Sequence, residues 1–207
     1  MKWVPGFWRP QITQLGLLSI WMGILFLQTG KTYFSVVSSL ILLFSLAGFA
    51  DNLIFDVGQP SNRDPKLVTH GLFCFAWMTA FAVQADLVRT GRLGLHQKIG
   101  IAGFLAALGF TISTMYLFYV LLIPWSEMTD WVQINRMALP SFVAFVVLAG
   151  VYRGRPECHK RLILMGTLYL MHPILDRAAA GFWVGGLFPL FLVFWLGLFA
   201  SLFAYDW

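Results

Sequence analysis

Apolar residues come in long blocks separated by short polar joints, with neither the alternation of a strand nor the stripe of a surface helix. Seven blocks stand out: Ile12 to Leu27, Tyr33 to Ala50, Val68 to Val88, Ile99 to Leu122, Met137 to Tyr152, Leu162 to Leu175 and Phe182 to Phe203. A helix needs about 20 apolar residues to cross the roughly 30 Å hydrocarbon layer of a bilayer. Inside that layer every backbone polar group must be satisfied by its own segment. The pattern predicts an all-α, polytopic transmembrane bundle of about seven helices. The first two blocks are short and joined by the tight turn Thr29-Gly-Lys31-Thr32, so an interfacial hairpin followed by five spans is the alternative. A single transmembrane domain takes up 1–207: an N-terminal helix pair in 1–50, a histidine-bearing four-helix core in 67–178 and a C-terminal helix in 182–205.

The joints differ in charge. Arg89-Thr-Gly-Arg92 is too short for a domain and too charged for lipid, so it predicts a hairpin turn. On its side of the membrane fall Lys31, Arg89, Arg92, Lys98, Arg153, Arg155, Lys160 and Arg161 against Glu157, eight bases to one acid. The other side holds Lys2, Arg9, Arg63, Lys66, Arg136 and Arg177 against Asp51, Asp56, Asp64, Glu127, Asp130 and Asp176, six to six. The excess of bases in cytoplasmic loops then puts the N-terminus outside and the C-terminus in the cytoplasm. The loops from Asp51 to Lys66 and from Pro124 to Arg136 become external, the second carrying Trp125 and Trp131 at headgroup depth.

Composition agrees. The 207 residues are 59% apolar and 11% charged, with a mean hydropathy of +0.76. Soluble domains carry about 25% charged residues, so a soluble catalytic domain is not expected. The start, with Trp3, Phe7 and Trp8 beside Lys2 and Arg9, resembles an interfacial segment ahead of a retained span rather than a cleaved signal. The net charge of +5 is spread over short turns, which topology explains without nucleic acid. Cys74 and Cys158 fall near opposite faces and are not expected to pair. No CxxCH occurs, against covalent c-type haem. No lysine lies inside a span, against a retinal Schiff base.

The chemistry left to weigh is histidine. His70, His96, His159 and His172 all fall inside or at the mouth of a predicted span, where an ionisable side chain is a functional hypothesis by default. His96 opens the fourth span and His159 the sixth, both from the cytoplasmic side. His70 opens the third from outside. His172 lies thirteen residues beyond His159, about 19.5 Å along a continuous helix, which brings it to the depth of His70. Two histidines at each of two depths is what two bis-histidine haem b groups stacked across a bilayer require. Each of the four is thus a candidate haem or metal ligand. Gly100 and Gly103, with Ala107, share the face of His96 at about 40°, −20° and 20° from it. A macrocycle can lie on such a stripe, and so can a neighbouring helix. Asp176, four residues after His172, is placed to accept its Nδ1 proton. Against the outer pair, His172 is turned about 220° from His159.

Plainer readings stand beside these. His96 and His159 suit interfacial positions among cations, and Asp86 suits an ion pair with Arg89. Copper or zinc on Glu157, Cys158, His159 and His96 is an alternative to haem.

The words His70-Gly-Leu-Phe-Cys-Phe-Ala-Trp77, Leu95-His-Gln-Lys-Ile-Gly100 and His159-Lys-Arg-Leu-Ile-Leu164 resemble a family of uncharacterised bacterial multi-pass membrane proteins with HGxLFxxW, LHxxxG and HKRLxL motifs. The resemblance covers about Val68 to Arg177 and implies a helical bundle in which His70, His96 and His159 matter; His172 does not belong to its motifs. More distantly, the layout is similar to two-haem transmembrane cytochromes b. The expectation is a haem b protein of a bacterial inner membrane, cytoplasmic or intracytoplasmic, that moves electrons across the bilayer, surrounded by lipid and by subunits of a respiratory or photosynthetic complex. If it is an enzyme, it is an oxidoreductase of that cytochrome type. The alternatives are a cofactor-free structural or assembly subunit and a copper-handling factor for oxidase maturation.

Overall fold

At Asp64 and Pro65 a polar joint turns into a helix boundary. Asp64 is extended, its carboxylate accepts the backbone N–H of Lys66 at 3.1 Å and pairs with the Lys66 ammonium. Pro65 takes the first helical position, where a missing N–H costs nothing. The computed structural model describes residues 32–55, 58, 60–181 and 188–205, without the side chains of 131, 176, 178–181 and 188–191.

Among the described residues the chain is helical, with no strand. The elements are α1 (Tyr33–Gly48), the single turn α2 (Ala50–Leu53), α3 (Pro65–Arg89), α4 (Leu93–Val120), α5 (Asp130–Val151), α6 (Pro156–Tyr169), α7 (Met171–Gly181) and α8 (Phe188–Tyr205). Short 3-10 turns lie at Pro60–Arg63 and Trp125–Glu127. Among the described residues three helices are long and apolar enough to cross a membrane: α3, α4, and α5 over Val132–Val151. Their outer faces carry exposed Leu72, Ile101, Ile112, Val147 and Val151, a surface that suits lipid rather than water.

The α3–α4 hairpin follows from one glycine. Gly91 has φ +74°, and around it the Arg92 N–H bonds the Leu87 carbonyl at 2.8 Å and the Gly91 N–H bonds Val88 at 3.1 Å. These are the paired bonds of a Schellman turn, which needs a left-handed residue just past the helix. The α5–α6 hairpin depends on a close approach: a Cβ on Gly166 would stand 3.1 Å from Cβ of Phe145.

Two expectations need correction. The predicted sixth span, Leu162 to Leu175, is not one helix. Pro173 has no N–H for the Tyr169 carbonyl four residues back and its ring crowds that carbonyl. The helix accordingly stops at Tyr169, Leu170 tightens onto Thr167 at 3.0 Å, and α7 restarts at Met171. The predicted fifth span starts seven residues early, at Asp130 rather than Met137, because its polar residues have uses. Gln133 donates to the Trp125 carbonyl (3.0 Å), and Arg136 to the Leu121 carbonyl (3.2 Å) left open at the end of α4. The second arm of the alternative interfacial hairpin, α1, packs one face into the bundle, with Val37 and Ile41 fully buried, and leaves Leu43 and Leu46 exposed on the other. Val37 and Ile41 join Met78, Phe142, Leu164, Leu168 and Leu198 in one core. The predicted first span, Ile12 to Leu27, and the start of the seventh lie outside the described residues.

The basic joints gather at one end of the bundle. There the Ser35 hydroxyl donates to Asp86 at 3.4 Å, and the Lys160 ammonium donates to the Tyr205 hydroxyl at 3.0 Å and lies 5.1 Å from the Phe34 ring centre. Asp86, paired with Arg89 at 2.6 Å, is a second acid at this end beside Glu157. At the opposite end Arg177 of α7 donates to Asn52 at 2.7 Å and covers the Phe49 ring.

Candidate functional site

His96 and His159 occupy equivalent positions in their helices. Each is the fourth residue, and each backbone N–H closes the first turn onto an arginine carbonyl, Arg92 or Arg155, at 3.0 Å. Gly91 starts α4 directly after α3, and Pro156 starts α6 in its first helical position. These two starts set the imidazoles at the same end of the bundle. Their ring centres are 6.4 Å apart and their planes lie at 89°. Two imidazoles that each place a nitrogen about 2.0 Å from one metal ion, on opposite sides, have ring centres about 6.3 Å apart. The observed spacing fits one metal held between two rings.

The second ring nitrogens differ. His159 donates from Nδ1 to the Ala149 carbonyl at 2.9 Å. A neutral imidazole with its proton on Nδ1 leaves Nε2 as a bare acceptor or ligand. The Ala149 carbonyl belongs to the last turn of α5 and lacks an intrahelical partner, because Arg153 turns instead to Gly150. His159 therefore also closes the end of α5. His96 has Nδ1 buried without a hydrogen-bond partner, and both polar atoms of the Gln84 side chain share that condition. Gln84 reaches α4 at Gly100, where a Cβ would stand 3.7 Å from its Nε2.

The small-residue stripe after His96 packs against α3. A Cβ on Gly103 would meet Ala80 at 3.5 Å, and Gly103 and Ala107 are buried. Gly103 also lines an open apolar groove of about 490 Å³ between α3 and α4, with Leu72, Ala76 and Val83.

Among the described residues no contact joins His70 to His172. His70 lies against α4, its Nδ1 3.3 Å from the Ser113 hydroxyl and 3.4 Å from that of Thr114, with the Phe110 ring alongside. Both hydroxyls donate to the Phe110 carbonyl, so His70 is the donor to them. His172 is buried beside α5 and α8, with Nδ1 3.3 Å from Asn135 Oδ1 and its ring 6.5 Å from that of Trp195. Asn135 holds the place expected for Asp176, whose side chain lies outside the described residues. The break at Leu170 removes the continuous helix on which the depth of His172 was reckoned.

Of the residues weighed for copper or zinc, Glu157 is paired with Lys160 and Arg161, each at 2.7 Å. Those two cations hold its carboxyl below the usual carboxylate range, Lys160 contributing most. Cys158 is exposed and Cys74 half-buried, both unpaired. Among the described residues no three histidine, cysteine or acidic side chains converge as a metal site. Gln84, which the sequence marks only as the end of an apolar arm, is the residue that sequence reasoning missed. A carboxamide among Val83 and Ala85 was its signal. Compared with family models, curated proteins and solved structures, the chain finds no match.

Proposed function

We propose that the protein is a membrane-embedded haem b protein that carries electrons, with His96 and His159 as the ligand pair at the basic end of the bundle. One observation carries the reading: two imidazoles from separate helices stand with ring centres 6.4 Å apart, close to the spacing a single metal between them requires, and one has its tautomer set by a backbone carbonyl. A haem bound there supplies reversible one-electron chemistry at its iron. The chain supplies the rest. The starts of α4 and α6 set the rings, Ala149 holds the proton of His159 on Nδ1, and the apolar flanks of α3 and α4 exclude water.

The excess of bases in the joints supports a cytoplasmic setting for this end; the reading takes the membrane to be a bacterial inner membrane and the neighbours to be lipids and the subunits of a larger complex. The reading covers one site, since His70 and His172 have separate partners. The test is the reduced-minus-oxidised spectrum of the purified chain with elemental analysis. A haem α-band with iron, lost in His96→Ala and His159→Ala, is the expected result; no α-band and no iron would overturn it. Copper without an α-band would assign the same two imidazoles to a copper-handling role.

A second reading, a cofactor-free structural subunit, has its own observation in the His159 bond that closes α5. It predicts that His96→Ala leaves both stability and partner binding intact.

A further inference from the structure

The apolar groove of about 490 Å³ between α3 and α4 runs along α3 from Leu72 to Val83, over small side chains that include Ala76, Ala102 and Ala106. Small residues alone would seat a neighbouring helix equally well. Length and charge separate the two occupants. Eleven steps of 1.5 Å make the groove about 16.5 Å long. One leaflet contributes about 15 Å of the hydrocarbon layer, whereas a spanning helix runs the full 30 Å.

At its other limit the groove meets the basic end of the hairpin. Beyond Val83 the chain turns polar at Gln84 and Asp86, and ahead of Ile99 it is polar at Gln97 and Lys98, so the headgroup level falls where the groove stops. Arg92, which caps α4, and Leu95 stand three and four residues apart from one another and from Ile99, Ala102 and Ala106, and so continue the face of α4 that lines the groove. Lys98 lies one turn ahead of Ala102, on the flank of that face. Both bases are exposed, and among the described residues neither joins an ion pair. Asp86, the acid at this end of α3, is taken up by Arg89 at 2.6 Å.

We propose that the groove is a binding site for one anionic phospholipid, with its phosphate on Arg92 and Lys98 and one acyl chain lying past Ala102 and Ala76 towards Leu72. The phosphate gives each base a charge-assisted partner, and basic pockets between helices at a membrane face are suited to anionic headgroups. The site needs the hairpin and a bilayer, and is independent of what His96 and His159 hold.

The test is electron spin resonance of the full chain in phosphatidylcholine vesicles carrying spin-labelled phosphatidylglycerol or phosphatidylcholine, the label near the end of the acyl chain. The motionally restricted fraction measures binding. The native chain is expected to prefer phosphatidylglycerol, and Arg92→Gln and Lys98→Gln each to cut that preference about fivefold. Ala102→Phe, at an exposed position in the groove, should lower restricted phosphatidylglycerol with both bases in place. Arg153→Gln removes an exposed base of the α5–α6 joint at the same end and should change nothing. Equal losses in Arg153→Gln would mean diffuse attraction to the basic end and overturn the site, as would a native chain without preference. Preference abolished by inorganic phosphate at constant ionic strength, yet untouched by Ala102→Phe, would reduce it to a free-anion contact. A dimer in phosphatidylcholine that Ala102→Phe dissolves would give the groove to a second copy instead.

Discussion

His159 Nδ1 and the Ala149 carbonyl oxygen lie 2.9 Å apart, joining the first turn of α6 to the last turn of α5. This bond gives one side chain two separable duties. Nδ1 closes an open helix terminus, while Nε2 takes no part in that bond and is the nitrogen the proposed ligation would use.

The two duties come apart in a pair of substitutions. Asparagine places a side-chain N–H close to where Nδ1 of histidine stands, but offers no nitrogen lone pair in place of Nε2. Against the haem-free native chain, His159→Asn should stay within about 0.5 kcal/mol and bind no haem, whereas His159→Ala should bind none and lose about 1 kcal/mol. Thermal unfolding in detergent, read beside the α-band, checks both. Equal destabilisation by the two substitutions would count against the closing role.

Gly91 controls the entry to α4 and hence the placement of His96. Its φ of +74° is left-handed, where a Cβ is strained although open space surrounds it. Gly91→Ala should cost about 1 kcal/mol through backbone strain alone. Gly91→Asn should recover part of this, because asparagine tolerates the left-handed region. Unfolding midpoints of the two variants provide the measurement.

Arg136 is the corresponding device at the far end. Its guanidinium donates to the Phe118 carbonyl at 3.5 Å and the Leu121 carbonyl at 3.2 Å and lies 5.0 Å from the Phe118 ring centre. It thus satisfies carbonyls that α4 leaves open while packing against the same helix. Arg136→Ala should cost about 0.5–1.5 kcal/mol, the range for losing a hydrogen bond whose acceptor stays near the surface. Arg136→Lys should recover little, since a single ammonium lacks the planar fork. Hydrogen exchange of the last turn of α4 locates the effect.

These residues show what was legible in the chain. Blocks of apolar residues bounded by Asp64-Pro65 and Arg89-Thr-Gly-Arg92 announce α3, its turn and α4, because capping, proline and glycine rules act over a few residues. The nearness of His96 and His159 followed from their charged joints sharing one end. The break at Leu170 did not show in hydropathy, since Leu162 to Leu175 is apolar but for Thr167 and His172. Only the lost N–H of Pro173 marks it, and that is a backbone effect four residues from its cause. Likewise Asn135 and Arg136 looked like loop residues because their partners, His172 and the end of α4, are remote in sequence. The stripe at Gly100 and Gly103 was compatible with a macrocycle or a helix, and only tertiary packing could show α3 against it.

Glu157 allows a prediction in pH. Its carboxyl is held below the usual range, first by Lys160 and then by Arg161, and lies on the exposed rim just ahead of His159. A folded-state pKa below the unfolded one means that the unfolded chain takes up the proton first as acid is added. The stability contributed by these pairs is therefore complete above the ordinary carboxylate pKa of about 4.3. It is lost as pH falls from there through the lower folded-state value. Between pH 5 and 8 the pairs should leave stability flat, by the same estimate. Glu157→Gln should lower stability slightly across that plateau, by less than about 1 kcal/mol for so exposed a group. It should also flatten the decline below it. Unfolding midpoints at a series of pH values, for both chains, decide the matter: a Glu157→Gln chain whose midpoint falls as steeply in acid as the native one would mean that Lys160 and Arg161 leave this carboxyl unperturbed.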